Sequence, residues 1–172
     1  MSDLTIRRAT TLDVIALSEI GIATFIETFA HLYPAGDLAT YLALAYGIDR
    51  TERDLADPKK ASWLVESAQA VVGYASVGPC DLPHPNVQPT SLELKRFYLL
   101  KTHQSGGVGG RLWAELMAWM LAQSPPDLWI GVWSQNLGAQ RFYQRHGFAK
   151  VGEYGFHVGK TVDQEFILRR DA

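Results

Sequence analysis

Four of the five residues from Gly106 to Gly110 are glycine, and this loop lies between a predicted strand and a predicted helix. Glycine lets backbone N–H groups approach a ligand without interference from a Cβ atom, and a helix N-terminus adds partial positive charge. The loop therefore suits a phosphate or pyrophosphate. The same composition also fits a flexible turn that binds nothing.

Two common phosphate-binding motifs do not match this loop. No Gly-Lys-Ser/Thr follows the glycines as a P-loop requires, and the stretch from Gly107 ends at Leu112, where the dinucleotide pattern needs glycine. The register that remains is Q-x-x-G-x-G, with Gln104, Gly107 and Gly109 at its fixed positions.

Hydrophobic periodicity and turn residues predict the elements that position the loop. Strands are expected at 5–8, 61–66, 71–76, 91–100, 128–133, 148–157 and 162–168, and helices at 14–29, 37–46, 49–56, 109–121 and 139–146. Asp37 is expected to cap the second helix. A strand with helices, an antiparallel hairpin and then a β-α-β-α unit together predict an α/β (α+β) fold.

Length and composition exclude several classes of protein. The 172 residues, 47% of them hydrophobic, predict a single domain over residues 1–172. A net charge of −2 offers no basic surface to nucleic acid. Without a signal sequence or a membrane-length apolar stretch, a cytoplasmic protein with no membrane partner is expected. Cys80 is the one cysteine, and the five histidines lack ligand spacing, so no metal site is predicted.

A second motif gives the glycine loop a context. Residues Asn136 to Phe148 read N-x-x-A-x-x-F-Y-x-x-x-G-F, downstream of the Q-x-x-G-x-G register. In this order the two motifs resemble motifs A and B of the GCN5-related N-acetyltransferase (GNAT) superfamily. The resemblance implies a mixed, mostly antiparallel sheet of six to seven strands, with a splayed parallel pair formed by the fourth and fifth strands and flanked by helices. More narrowly, residues 29–33, 91–93 and 129–133 are similar to PaiA-type spermidine/spermine N-acetyltransferases.

The resemblance implies acetyl-CoA as co-substrate. By register, the backbone of Phe97, Tyr98 and Leu99 would pair with the pantetheine arm, because its amides can hydrogen-bond like an added strand. Asn136 would anchor the pantetheine or acetyl end, although Asn at this position also suits a helix N-cap. The pyrophosphate would be held by Gln104, Ser105, Gly106, Gly107, Val108, Gly109 and Gly110.

Acetyl transfer to an amine needs a base and an acid, because an alkylamine is protonated at neutral pH and the thiolate must be protonated on leaving. Glu93, eleven residues before Gln104, resembles the glutamate base of the superfamily's histone acetyltransferases. Strand alternation predicts that it shares a face with Lys95 and Phe97. The alternative is an exposed carboxylate paired with Lys95. Tyr143 corresponds to the motif B general acid, or else is a core aromatic residue.

A covalent route through Cys80 has no adjacent base and an acidic neighbour, so direct transfer is favoured. The region 11–57 carries eight acidic and two basic residues, which predicts an acidic acceptor site and a small cationic amine such as a polyamine as acceptor. Glu27, Tyr33 and Asp37 are the candidate acceptor contacts. Transfer to a protein N-terminus or lysine, and a non-catalytic acetyl-CoA-binding module, stay open. The resemblance also implies a possible homodimer.

Overall fold

Seven strands form one mixed sheet in the computed structural model, which describes residues 4–172. The strands are β1 (Thr5–Arg8), β2 (Ala61–Glu66), β3 (Val71–Pro79), β4 (Leu92–Leu99), β5 (Asp127–Trp133), β6 (Ala149–Val158) and β7 (Thr161–Asp171). The helices are α1 (Val14–Phe29), α2 (Ala35–Tyr46), α3 (Ile48–Ala56), α4 (Val108–Ala122) and α5 (Leu137–Arg145). This arrangement confirms the predicted fold class.

The strand order across the sheet is β1-β2-β3-β4-β5-β7-β6, and within residues 4–172 only the β4/β5 pair is parallel. Helices cover both faces. Leu112 and Leu116 of α4 pack on one face against Val65 and Ile130. Phe25 of α1 packs on the other face, in the cluster that includes Tyr74. Apolar side chains of the central strands are thereby removed from water on both sides of the sheet.

A capping box orders the turn that leads into α1, whereas no side-chain cap precedes α2. A capping box precedes α1: Thr10 Oγ1 accepts from the backbone N–H of Leu12 at 3.3 Å, and the Asp13 carboxylate accepts from the Thr10 N–H at 2.8 Å. The second helix begins at Ala35, with Pro34 at its N-cap. The predicted cap at Asp37 is wrong, because this residue already lies in the first helical turn.

Strands β4 and β5 pair over three residues and then separate. Their register joins Leu92 to Leu128, Glu93 to Trp129 and Leu94 to Ile130. Beyond these pairs β4 continues against β3 and β5 continues against β7. The facing edges of the two strands are therefore open at their carboxyl ends.

Asp127 holds the closed end of this opening. Its side chain is fully buried at the start of β5, where it accepts hydrogen bonds from Ser91 Oγ, from Trp129 Nε1 at 2.8 Å and from Arg169 Nε at 3.0 Å. These bonds lower the pKa of the carboxyl group in spite of its burial. One carboxylate thus ties the residue before β4 to β5 and β7.

A β-bulge at Lys95 interrupts the alternation of β4. Arg96 pairs with Ser76 and Leu94 pairs with Val77, so Lys95 is an extra residue without a partner on β3. Beyond the bulge the two faces of the strand exchange positions. Phe97 packs among the residues under α4 and α5, whereas Glu93 and Lys95 lie on the α1 side. The prediction that Phe97 shares a face with Glu93 is wrong for this reason.

Candidate active site

A cavity of about 490 Å³ lies between the sheet and helices α1 to α3. Aromatic rings form much of its wall; among them Phe29 packs edge-on against Trp133, with ring centroids 5.9 Å apart, and Tyr41 packs against Phe156 at 5.6 Å. Charged groups from β4 and β7 also line it. A concave site that combines apolar walls with polar and charged groups can hold a small polar molecule.

Glu93 lies at one side of this cavity with only 8% of its side chain exposed. Its Oε2 is 2.6 Å from the Lys95 ammonium nitrogen and 3.2 Å from the backbone N–H of Asp81. Burial raises the pKa of Glu93 to about 7, and the attraction to Lys95 opposes the shift without cancelling it. A carboxyl group with this pKa exchanges its proton readily near neutral pH.

Two further carboxylates, Asp163 and Glu165, reach the cavity from β7. Each accepts a hydrogen bond from a tyrosine hydroxyl rather than from a cation: Tyr33 donates to Asp163, and Tyr154 donates to Glu165 at 2.6 Å. Burial raises the pKa of Glu165. The sequence analysis did not identify these residues, because a single acidic residue on an edge hairpin has no distinguishing pattern.

Arg96 lines the cavity on the β4 side, next to the bulge. Its guanidinium carbon lies 4.2 Å from the centre of the Tyr46 ring, and nearby tyrosines raise the pKa of the group. The neighbouring Tyr74 is 2% exposed, and its hydroxyl has no hydrogen-bond partner within the described residues. Neither residue was predicted from the sequence. For Arg96 the reason is that regular alternation along β4 assigns it to the opposite face.

The glycine loop lies at the N-terminus of α4. Gly106 and Gly107 have φ angles of +99° and +79°, a region that favours glycine. The first bond of the helix ladder runs from the Arg111 N–H to the Gly107 carbonyl at 3.2 Å. The N–H groups of the first helical turn consequently precede the ladder and remain for an anion.

Space around the loop also fits a phosphate group. A Cβ atom added at Gly106, Gly107 or Gly110 would meet no protein atom within 4 Å, so packing against the chain does not require glycine there, and only the first two positions require it for their positive φ. At Gly110, where φ is not positive, neither the backbone conformation nor packing against the chain explains the glycine. Gln104 Nε2 donates to the Leu99 carbonyl at 3.0 Å, which connects the loop to the end of β4.

The scan against family models matched the acetyltransferase (GNAT) family over residues 24–148, a range that includes Glu93, the glycine loop and Tyr143. The chain belongs to this family. A GNAT chain needs a site for the acyl donor and a site for the acceptor. The open edges of β4 and β5 beside the glycine loop fit the first, and the cavity on the α1 side fits the second.

Relatives and solved structures agree with this assignment. The chain is 29% identical over 147 residues to an uncharacterised N-acetyltransferase encoded in the pepI 3′ region of Lactobacillus delbrueckii subsp. lactis, covering 86% of this chain and 85% of the relative. It is similar in fold to a PaiA N-acetyltransferase from Thermoplasma acidophilum in complex with coenzyme A, with a TM-score of 0.77, 16% identity and 99% of both chains covered. A probable acetyltransferase from Staphylococcus epidermidis gives a TM-score of 0.76, also at 16% identity and 99% of both chains.

The residues predicted for catalysis lie on opposite faces of the sheet. Tyr143 is buried on α5 against Trp113 and Phe148, with ring centroids 5.9 and 6.4 Å away. Burial alone raises its pKa, so the hydroxyl stays protonated at neutral pH. Glu93 lies on the α1 side, on the paired stretch of β4 just before β4 and β5 separate.

The predicted acceptor residues are dispersed. Tyr33 lines the cavity, but Glu27 and Asp37 do not. The Glu27 carboxylate accepts from the Lys101 N–H at 2.9 Å, and the Asp37 carboxylate accepts from the Lys160 N–H at 3.1 Å. These two acidic residues connect helices α1 and α2 to distant loops.

Two other predicted residues have defined positions. Asn136 Oδ1 accepts from the Ala139 N–H at 3.1 Å and so caps α5, the alternative considered for it. Cys80 also lines the cavity, but burial raises the pKa of its thiol to about 12, which disfavours a thiolate nucleophile.

Among residues 4–172, no three or more His, Cys, Asp and Glu side chains come together as a metal site would require. No helix in the same part of the chain has the length and apolar character needed to cross a membrane.

Proposed function

We propose that the chain is an acetyl-CoA-dependent N-acetyltransferase that acetylates the primary amine of a small molecule held in the cavity. The observation that carries this proposal is the position of Glu93: a buried carboxyl group with a pKa of about 7 that lines the cavity, on the stretch of β4 that pairs with β5 just before the two strands separate. Membership of the acetyltransferase (GNAT) family supplies the reaction class.

The donor-binding residues are those of the glycine loop and the open edge of β4. The N–H groups of residues 108–110 and the left-handed turn at Gly106 and Gly107 would hold the pyrophosphate. The backbone of Phe97 to Leu99, whose β5 side has no strand partner, would bind the pantetheine amides. When bound, acetyl-CoA supplies the activated acetyl group and a thiolate leaving group.

Glu93 accepts a proton from the bound ammonium group, directly or through a water molecule. The neutral nitrogen then bonds to the acyl carbon as the carbon–sulfur bond breaks, and the new amide nitrogen releases its second proton to solvent. Its raised pKa matches this task, because a base is most effective when its pKa lies near the working pH. Both described hydrogen-bond partners of the carboxylate bind Oε2, which leaves Oε1 for the amine.

Tyr143 donates a proton to the leaving sulfur. Its raised pKa keeps the hydroxyl protonated at neutral pH, and its position on α5 at the side of the glycine loop suits contact with the donor rather than the acceptor. Asn136, which caps the same helix, would contribute its side-chain amide to the pantetheine end while it holds α5 in place.

The acceptor site favours an amine that enters as its ammonium ion. Asp163 and Glu165 have only hydroxyl donors as hydrogen-bond partners in the described structure, and aromatic rings such as Trp133 and Phe156 lie beside them. Carboxylates and aromatic faces both attract cations. Polyamines are among the amines whose cations fit this end of the cavity.

Purified protein mixed with acetyl-CoA and a panel of diamines, polyamines, amino acids and peptides tests the proposal through release of free thiol. We expect small amines to stimulate release well above hydrolysis. If peptides alone stimulate it, the chain is a peptide or protein N-acetyltransferase. If nothing stimulates it although coenzyme A binds, the chain is a binding module.

A single domain over residues 1–172, a cytoplasmic location and a homodimer stay predictions.

A further inference from the structure

We infer that the acceptor carries a carboxylate as well as its amine, and that Arg96 and Tyr74 bind this carboxylate on the floor of the cavity. The inference rests on the proposed function and narrows its acceptor to an amino acid or a similar amino-carboxylate.

Charge pairing distinguishes Arg96 from the other cations of the cavity. Arg50 Nε lies 3.0 Å from Oδ2 of Asp54, and Lys60 Nζ lies 2.6 Å from Oδ1 of the same carboxylate. The Lys95 ammonium group forms ion pairs with both Asp81 and Glu93. Within residues 4–172, Arg96 alone among these four has no carboxylate within ion-pair distance; its neighbours are tyrosine rings. A guanidinium without a counter-ion in a partly buried site is ready to bind a carboxylate through two parallel hydrogen bonds.

Tyr74 gives an independent indication at the same place. Its hydroxyl is buried in the cavity wall; the Tyr46 side chain lies close to it but does not complete a hydrogen bond of normal geometry, and buried polar groups are normally satisfied in native proteins. Tyr74 pairs with Tyr98 and lies two residues before Ser76, which pairs with Arg96, so all four residues belong to one patch of the β3/β4 floor. Arg96 and Tyr74 are both hydrogen-bond donors, and the group that satisfies both is an anion.

The cavity therefore has two chemically different ends. At one end, strand β7 contributes the carboxylates of Asp163 and Glu165. Glu93 lines the cavity from the neighbouring strand β4. The β3/β4 floor offers the donors Arg96 and Tyr74. A diamine or polyamine would place its second cation near Arg96 or leave this donor pair unused, whereas a zwitterion satisfies both ends. The cation–π contact with Tyr46 holds the guanidinium in place but satisfies none of its in-plane N–H donors.

Matched pairs of acceptors test the inference. Lysine is compared with cadaverine, ornithine with putrescine, and tyrosine with tyramine, with kcat/KM measured by thiol release for each. We expect the carboxylate-bearing member of at least one pair to be preferred. Because the α-amine of an amino acid is also less basic than that of its partner, the deciding quantity is the change of this ratio on mutation.

Arg96→Gln should reduce the ratio by about tenfold to a hundredfold, the range expected for hydrogen bonds to a charged group. Tyr74→Phe, which removes only the hydroxyl, should reduce it by about threefold. Arg50→Gln is the matched control, because this cavity arginine is already neutralised by Asp54, and the preference should persist. Circular dichroism checks that each variant is folded; if Arg96→Gln is not, the wild-type ratios and Tyr74→Phe decide.

The possible outcomes separate the two proposals. If no amine is acetylated, the proposed function fails. If amines are acetylated but every decarboxylated partner is preferred, or if the preference is the same in Arg96→Gln as in the wild type, the inference about the carboxylate is overturned while the proposed function stands.

Discussion

The Lys95 ammonium nitrogen lies 2.6 Å from Oε2 of Glu93, and both side chains lie on the α1 side of β4, as strand alternation predicts; the bulge at Lys95 adds Arg96 to the same side. The pair is asymmetric: only 8% of the Glu93 side chain is exposed, whereas Lys95 is 24% exposed and also binds Asp81 at 2.6 Å. The cation is thus shared between two carboxylates. This sharing explains why burial outweighs attraction and leaves Glu93 with a raised pKa.

Activity should depend on pH through Glu93. We expect kcat/KM to rise with pH with an apparent pKa near 7 as the carboxyl group loses its proton, in addition to the steeper contribution of the amine itself. Glu93→Gln should lower kcat/KM by about 10² to 10⁴-fold and remove the limb near pH 7. Initial rates of thiol release from pH 5.5 to 9 measure both.

Glu115→Gln is the control for that experiment, because Glu115 is exposed on α4 away from the cavity. Its profile should match the wild type. If kcat/KM of Glu93→Gln still rises with an apparent pKa near 7, the group that titrates there is not Glu93.

Stability should depend on pH through the same residue. Folding raises the pKa of Glu93 from 4.5 to about 7, so between these values the native state binds more protons than the unfolded chain. The free energy of unfolding therefore falls as pH rises through this window. A glutamine does not ionise, so Glu93→Gln does not lose stability in this way. The free energy of unfolding of the variant, measured relative to that of the wild type, should therefore increase by on the order of 2 kcal/mol between pH 4.5 and 7.5.

Urea unfolding of both proteins at several pH values measures this difference. The subtraction cancels the contributions of the other carboxyl groups. A difference that is independent of pH would mean that the Glu93 carboxyl group is not perturbed in the folded chain.

The order of elements and the donor side were largely accessible from the sequence. Strand and helix periods gave the elements in the right order, and the glycine loop with Asn136 to Phe148 predicted the family, because backbone recognition of a phosphate needs glycine at fixed positions. Boundaries shifted by one to three residues: α4 begins at Val108 rather than Gly109, and β7 ends at Asp171 rather than Leu168.

The acceptor side was less accessible, for a physical reason. The extra residue at Lys95 reverses which side chains of β4 face the cavity beyond that point. No local sequence pattern predicts such a bulge. Arg96 and Tyr74 are brought together by strand pairing, and Asp163 and Glu165 by the β6/β7 hairpin. Glu27 and Asp37, chosen for their charge, instead bind backbone N–H groups of distant loops, which composition alone does not reveal.

Tyr143→Phe should lower kcat with little change in the affinity for coenzyme A. The substitution removes only the hydroxyl and keeps the ring packed against Trp113 and Phe148, so the fold should be retained. Loss of a general acid typically lowers the rate by about 10² to 10⁴-fold. Calorimetric titration with coenzyme A provides the internal control. Unchanged turnover would leave Tyr143 with a packing role only.

Gly110→Ala should weaken coenzyme A binding without harming the fold. Gly110 has no positive φ, and an added Cβ would meet no protein atom within 4 Å, so the methyl group would occupy only the space assigned to the pyrophosphate. Alanine also favours a helix over glycine by up to about 1 kcal/mol, so the free energy of unfolding should stay level or rise. We expect the dissociation constant to increase by about tenfold or more, which corresponds to about 1.4 kcal/mol.

Gly36→Ala is the matched control, because Gly36 lies in the first turn of α2, and a Cβ added there also meets nothing within 4 Å. Both variants gain the same methyl group near a helix N-terminus, and only one lies in the proposed cradle. Weaker coenzyme A binding in Gly110→Ala alone would therefore locate the phosphate site, because a general effect on helix stability would affect both proteins. Equal affinities in the two variants would contradict close approach of the ligand to the backbone at Gly110.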